Sequence, residues 1–196
     1  MRVLGIDPGT VRTGWGVVEA DGARLIGIAA GVIAVRDGDP LEQRLSQIFD
    51  GLTAVIAAHT PTVCAVEDIF FAKYPAAAMK LGHARGVALV AAARGGLAVS
   101  AYPPALVKRS VSGSGSAEKS QVARMVGAML GWTELPAIDA TDALAVAITH
   151  LYAARMPVQM TATLAKARVR ASRKNAPLPD ARASARAAAE AKKRSR

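Results

Sequence analysis

Two carboxylates each close a short apolar run. Asp7 ends Arg2-Val-Leu-Gly-Ile and is followed by Pro8-Gly9, while Glu67 ends Val63-Cys-Ala-Val. If these runs are neighbouring parallel strands, the two acids emerge side by side at one end of a sheet. Asp139 and Asp142 stand three apart at the start of a helical stretch and so share a face. Four acids in mainly apolar surroundings repel one another and resist ionisation. Divalent cations relieve that conflict, and oxygen-only ligands without His or Cys favour Mg2+ or Mn2+ over zinc. Two such ions suit in-line displacement at phosphorus, one activating water and the other stabilising the leaving oxygen. Taken singly, the acids have plainer readings: Asp7 as a turn residue, Asp139 as a helix N-cap, Asp142 as a partner of the helix dipole. Glu67 is harder to set aside, because a carboxylate closing a buried strand needs a partner. The joint pattern is what points to a metal site.

Other residues join this set. Gly113-Ser-Gly-Ser-Ala-Glu-Lys119-Ser120 looks like a phosphate-binding P-loop but has Glu118 where that motif needs glycine. What survives is a loop feeding a helix N-terminus able to hold a phosphate, with Lys119 in the first turn. Ser116 as an ordinary N-cap, with Lys119 solvated, remains the alternative, and Lys108 carries the same ambiguity one helix earlier. Phe70 and Phe71, two of only three phenylalanines, follow Glu67 in a loop with Lys73. Adjacent aromatics beside an acidic site can stack on bases, with the lysine taking a phosphate. One of the pair as a core residue is the competing reading. His59, His83 and His150 read as surface or core residues, and Cys64 as a packed small hydrophobe.

The elements that must position these groups are legible in outline. Strands are expected over 2–7, 14–18 and 24–35, with Asp21-Gly22 at a hairpin turn. After Pro40, apolar residues at three- and four-residue steps (Leu41, Leu45, Ile48, Leu52, Val55) predict a helix. A buried strand at 63–67, an Ala-rich helix at 76–94, a strand at 97–101 and helices at 103–110, 117–130 and 140–155 follow. This order implies an α/β fold with a mixed five-stranded sheet flanked by helices, three antiparallel strands extended by parallel ones through helical crossovers.

The chain has 196 residues, 52% of them apolar, which excludes wholesale disorder, and its single cysteine excludes a disulfide scaffold. No apolar run approaches the roughly 20 residues of a membrane span, and Asp7 comes too early for a signal peptide. A cytoplasmic location is the expectation. The net charge of +10 is unevenly placed. Residues 1–156 carry 14 basic and 13 acidic groups, whereas 157–196 carry 11 and two. The expected organisation is a nearly neutral globular domain over 1–156 and a basic Ala/Arg/Lys-rich tail over 157–196, either disordered or partly helical. Such a tail attracts polyanions, nucleic acid foremost; a merely solubilising extension is the alternative.

Five stretches together resemble the RuvC family of bacterial Holliday-junction resolvases, within the ribonuclease H-like superfamily: GIDPGTVRTGWGVV (5–18), AVEDIFFAK (65–73), KLGHARGVAL (80–89), VKRSVSGSGSAEKSQV (107–122) and DATDALAVAITH (139–150). Each is modest alone; all five in the family's order are specific. The resemblance implies a ribonuclease H-like fold and a metal-dependent endonuclease that acts as a homodimer on four-way DNA junctions. It would nick two strands of like polarity at symmetric sites, leaving 5′-phosphate and 3′-hydroxyl ends, and work with the RuvA–RuvB branch-migration complex. It makes Asp7, Glu67, Asp139 and Asp142 the catalytic tetrad and ligands of two Mg2+ or Mn2+ ions. Phe70 becomes the residue that stacks on bases, with Phe71 and Lys73 beside it, and Lys108 and Lys119 the basic groups near the scissile phosphate. The 76–94 helix becomes the dimer interface. Some relatives carry His at the third acid, where this chain has Asp139.

Two other classes fit less well. An actin-like ATPase or sugar kinase would use Asp7-Pro-Gly-Thr10 with Arg12-Thr13-Gly14 as a phosphate loop but needs a second such loop in a duplicated lobe, and none is found. A non-catalytic junction binder would be expected to lack a tetrad member. The tail is expected to strengthen DNA association through counterion release. Removing residues 157–196 should therefore flatten the salt dependence of DNA affinity and spare the chemistry; an unchanged salt slope would refute this role.

Overall fold

The computed structural model describes residues 1–68 and 75–155. Five strands, β1 (Arg2–Asp7), β2 (Arg12–Asp21), β3 (Arg24–Ala34), β4 (Val63–Glu67) and β5 (Ala98–Tyr102), form one sheet in the order β3-β2-β1-β4-β5. β1, β2 and β3 pair antiparallel, and β4 and β5 extend the sheet in parallel. The crossovers are α1 (Leu41–His59) and α2 (Pro75–Arg94); α3 (Pro104–Ser112), α4 (Lys119–Leu130) and α5 (Ile138–Arg155) complete the chain. The expected mixed five-stranded α/β sheet is thus observed. The β2–β3 hairpin turns where Asp21-Gly22 predicts it: Asp21 pairs with Arg24, and Gly22 has φ +55°.

Element boundaries differ in instructive places. β2 starts at Arg12 rather than residue 14, because Val35 N–H donates to the Val11 carbonyl and prolongs the ladder. α4 starts at Lys119, with Glu118 rather than Ser116 at the N-cap and no side-chain cap bond. The Ser116 hydroxyl is instead paired with that of Ser114, and Ala117 is buried in the core, which holds the segment out of the helix.

The sheet carries a core on each face. Leu4, Ile6, Cys64 and Val66 pack with α1 and α2 residues such as Ile48, Leu52 and Ala88. Val3 and Ala65 pack on the other side with α5, α3 and α4, including Leu144, Val107 and Val126. Strand side chains alternate, so Asp7 follows Val3 and Gly5, and Glu67 follows Ala65, onto the α5 side. Both expected strand-end acids therefore face the same helix.

That helix lies unusually close to the sheet. From Ala140 to Leu151 it is buried save for Asp142, and its inner surface is largely alanine. A Cβ on Gly5 would overlap the Ala143 carbonyl, and one on Gly14, the register partner of Asp7, would overlap the Asp139 carbonyl. Both obstacles are backbone, which cannot rotate aside. Gly14→Ala should therefore destabilise the fold by about 2–4 kcal/mol in urea unfolding. The same change at Gly38, which faces open space, should cost less than about 1 kcal/mol. Equal costs at the two positions would contradict the close approach.

Candidate active site

β1 and β4 are parallel neighbours in which Ile6 pairs with Val66, so Asp7 and Glu67 leave the sheet together. The turn after Asp7 is fixed by its own residues. Buried Thr13 donates its hydroxyl to the Gly9 carbonyl at 2.8 Å, and Arg44 of α1 donates to the Thr10 carbonyl at 3.3 Å. Beyond Glu67, Asp68 N–H bonds the Tyr102 carbonyl at 2.8 Å, and the Asp68 carboxylate pairs with Arg85 of α2 at 3.2 Å. The strand end is thereby anchored on both flanks.

Asp7 and Glu67 are partly buried and stand close enough for each to act on the other's ionisation. Burial, more than any neighbour, pushes Glu67 up to about 8, with the Asp7 charge next. Asp7 rises to about 6, again through burial first and then through the charge of Asp142. Asp142, Glu67 and Asp139 all act on Asp7, so the other three acids lie within its electrostatic reach. Asp139 sits in the first turn of α5 and is not its N-cap. The two helix acids are each held by a cation: Arg12 Nε donates to Asp139 Oδ2 at 2.6 Å, and Lys119 Nζ to Asp142 Oδ2 at 2.8 Å. The bond to Asp142 is the main reason the Lys119 ammonium is raised above its ordinary value.

Among the described residues no three acids or imidazoles close around a common point at ligand distance. The donor set nevertheless fits a hard divalent cation: it is all oxygen, it is partly desolvated, and its mutual repulsion is what such a cation would relieve.

The remaining candidates fall out differently. Lys108 is partly buried on α3 and forms no ion pair with the four acids among the described residues. Phe70, Phe71 and Lys73 lie outside the described residues. His59 stacks on Trp15, His83 is exposed, and buried His150 bonds the Tyr102 hydroxyl at 2.8 Å. Cys64 is fully buried, and burial pushes its thiol up to about 12, which leaves it unreactive. In the sequence Arg12 stands out only as part of the alternative phosphate loop; an arginine opening a strand carries no local signal of the acid it meets 127 residues later. No helix of the described residues is long and apolar enough to cross a membrane.

Comparison with known proteins gives a consistent picture. The family model for the crossover junction endodeoxyribonuclease RuvC matches residues 3–150. The protein of that name from Sorangium cellulosum (strain So ce56) is 50% identical over 163 residues, 83% of this chain and 91% of its own length. Its counterpart from Rhodopseudomonas palustris (strain TIE-1) is 51% identical over 152 residues, 78% and 87% of the two chains. The structure of T. thermophilus RuvC in complex with Holliday junction substrate superposes with a TM-score of 0.75 at 39% identity, covering 80% of this chain and 96% of that one.

The raised carboxyls make folding stability depend on pH. Glu67 binds its proton in the folded state up to about 8 but in the unfolded chain only to about 4.5. Its protonated form therefore favours folding below 4.5, and that contribution is lost as pH rises through 8. In EDTA, the melting temperature should fall by roughly 5–10 °C between pH 5 and pH 8.5. Glu67→Gln should flatten that decline, and Mg2+ should offset it most at the alkaline end. A slope indifferent to Glu67→Gln would show that other groups set it.

Proposed function

The chain belongs to the RuvC family of crossover junction endodeoxyribonucleases, and from that premise we propose that Asp7, Glu67, Asp139 and Asp142 are its catalytic carboxylates. The protein is an endonuclease that resolves Holliday junctions, and its family is metal-dependent. The observation that carries the residue assignment is the convergence of two adjacent strand-end acids with two acids from the first turns of α5.

In this reading the four carboxylates hold two Mg2+ or Mn2+ ions, which when bound supply an activated water and stabilise the leaving 3′-oxygen. Asp7, raised by burial and then by the Asp142 charge, and Glu67, the more basic of the strand-end pair, would hold the cations from the sheet side. Asp139 and Asp142 approach from above on one helix face, one turn apart. Lys119 stands at the first turn of α4 beside Asp142, where its ammonium and the free N–H groups of the helix start can receive a backbone phosphate. Lys108 on α3 adds a second basic contact to the strand being cut. Phe70, which with Phe71 and Lys73 follows β4 in the sequence, would stack on bases at the opened junction centre.

The enzyme works as a homodimer, each copy cutting one of two strands of like polarity. The α1–α2 face supports this reading. An open groove of about 580 Å3 runs between the helices, lined by Leu45, Phe49, Val87 and Val90, and Met79 is 68% exposed nearby. A second copy would cover that apolar surface. Branch migration by RuvA–RuvB would supply the junction, in the cytoplasm where recombination and repair proceed. Residues 157–196 add non-specific DNA affinity to the domain that precedes them.

The test is nicking of a synthetic four-way junction against a linear duplex of the same sequence. Paired symmetric cuts on the junction alone are expected, abolished by EDTA. Asp7→Asn should lower the rate at least roughly a hundredfold, the scale of losing one preorganised electrostatic group, with junction binding retained. Unchanged cutting by Asp7→Asn would remove the carboxylate assignment.

A further inference from the structure

Arg12 reaches the site by a route of its own. It opens β2, where its backbone pairs with Ala34, and the preceding turn is tied down by Thr13 and Arg44. From this fixed base its Nε donates to a single oxygen of Asp139 at 2.6 Å. Among the described residues its two terminal nitrogens make no hydrogen bond, and the side chain is 51% exposed against 22% for Asp139. Half of a guanidinium thus neutralises one site carboxylate, while the half that can grip a phosphate as a fork faces solvent.

We propose that Arg12 is an exchangeable counter-ion, which pairs with Asp139 in the DNA-free protein and passes to a DNA backbone phosphate when a divalent cation takes that carboxylate. The inference rests on Asp139 being a metal ligand, as argued above. An ion pair this exposed is weak, so a doubly charged cation displaces it at little cost. While in place, it reduces repulsion among Asp139, Asp142 and Asp7, and so holds the first turn of α5 down on Gly14. Once displaced, the arginine stays within a side chain's length of the site, and the nearest strong anion is the backbone of the strand being cut. Cation binding and DNA binding are then linked through one residue, and the linkage is reciprocal. Arg12 is a positioning residue in this scheme, acting first on Asp139 and then on DNA.

The full-length chain with Arg12→Gln tests it in two measurements. Calorimetry with Mn2+ on the DNA-free protein should show binding tightened by about fivefold, since a competitor for Asp139 is gone. Affinity for a four-way junction should match wild type in EDTA but be weaker by about fivefold in Ca2+, with the salt slope reduced by about one. Arg12→Lys should recover most of the Ca2+-dependent affinity, and also serves should the glutamine variant melt early. Weaker Mn2+ binding in Arg12→Gln would make Arg12 a plain anchor for Asp139 and overturn the proposal. Equal loss of junction affinity with and without Ca2+ would make it a fixed phosphate contact and overturn it too. Asp139→Asn separates the premise from the proposal: if it leaves Mn2+ binding intact, Asp139 is not a ligand and the fault lies there.

Discussion

The approach of one helix to two strands sets everything else. α5 meets β1 and β2 where Gly5 and Gly14 have no side chain, and it presents small residues in return. Ordinary helix-on-sheet packing leaves room for a layer of large side chains; here backbone meets backbone. That closeness brings Asp139 and Asp142 down to the level of Asp7 and Glu67. It also commits α5 to burial on nearly every side, so α3 and α4 must cover it and the second core forms around it. The core on the opposite face, with Leu4, Ile6, Ile48 and Leu52, braces the sheet against α1 and α2.

The same closeness carries an electrostatic cost. Partly desolvated carboxylates gathered at one end of a sheet oppose folding unless they are protonated or neutralised. The protein uses both remedies: burial and the Asp7 charge push Glu67 toward its protonated form, while Arg12 and Lys119 each take one helix acid. These cations are mostly exposed, and their pairs are weak enough to give way. A site held by deep, rigid salt bridges would be more stable and less able to accept divalent ions. Stability at this end of the sheet is traded for readiness to bind a metal and a phosphate.

Much of this was legible in the sequence, because the relevant signals are local. Carboxylates closing apolar runs at 7 and 67 marked strand ends, and the period of two placed both acids on one face once the strands were known to be parallel neighbours. The three-residue spacing of Asp139 and Asp142 gave their shared helix face. The helix after Pro40 announced itself through its apolar steps, and Asp21-Gly22 through its turn chemistry. What was not legible depended on distant partners. The glycines at 5 and 14 read as part of a motif, yet their requirement comes from the backbone of a helix more than a hundred residues away. Arg12 read only as part of a possible phosphate loop, with nothing local to pair it with Asp139. Ser116 carried good N-cap chemistry but found Ser114 first, and burial of Ala117 moved the helix start past it.

Function here depends on four carboxylates acting as one divalent-cation site rather than as separate surface or capping acids. The most direct measurement is diffraction at the manganese absorption edge from crystals of the full chain soaked in Mn2+. Anomalous density should lie within about 2.5 Å of an Asp7 oxygen, between the strand-end pair and the first turns of α5, with Arg12 turned away from Asp139. Manganese bound only elsewhere, with Arg12 still on Asp139, would contradict that dependence.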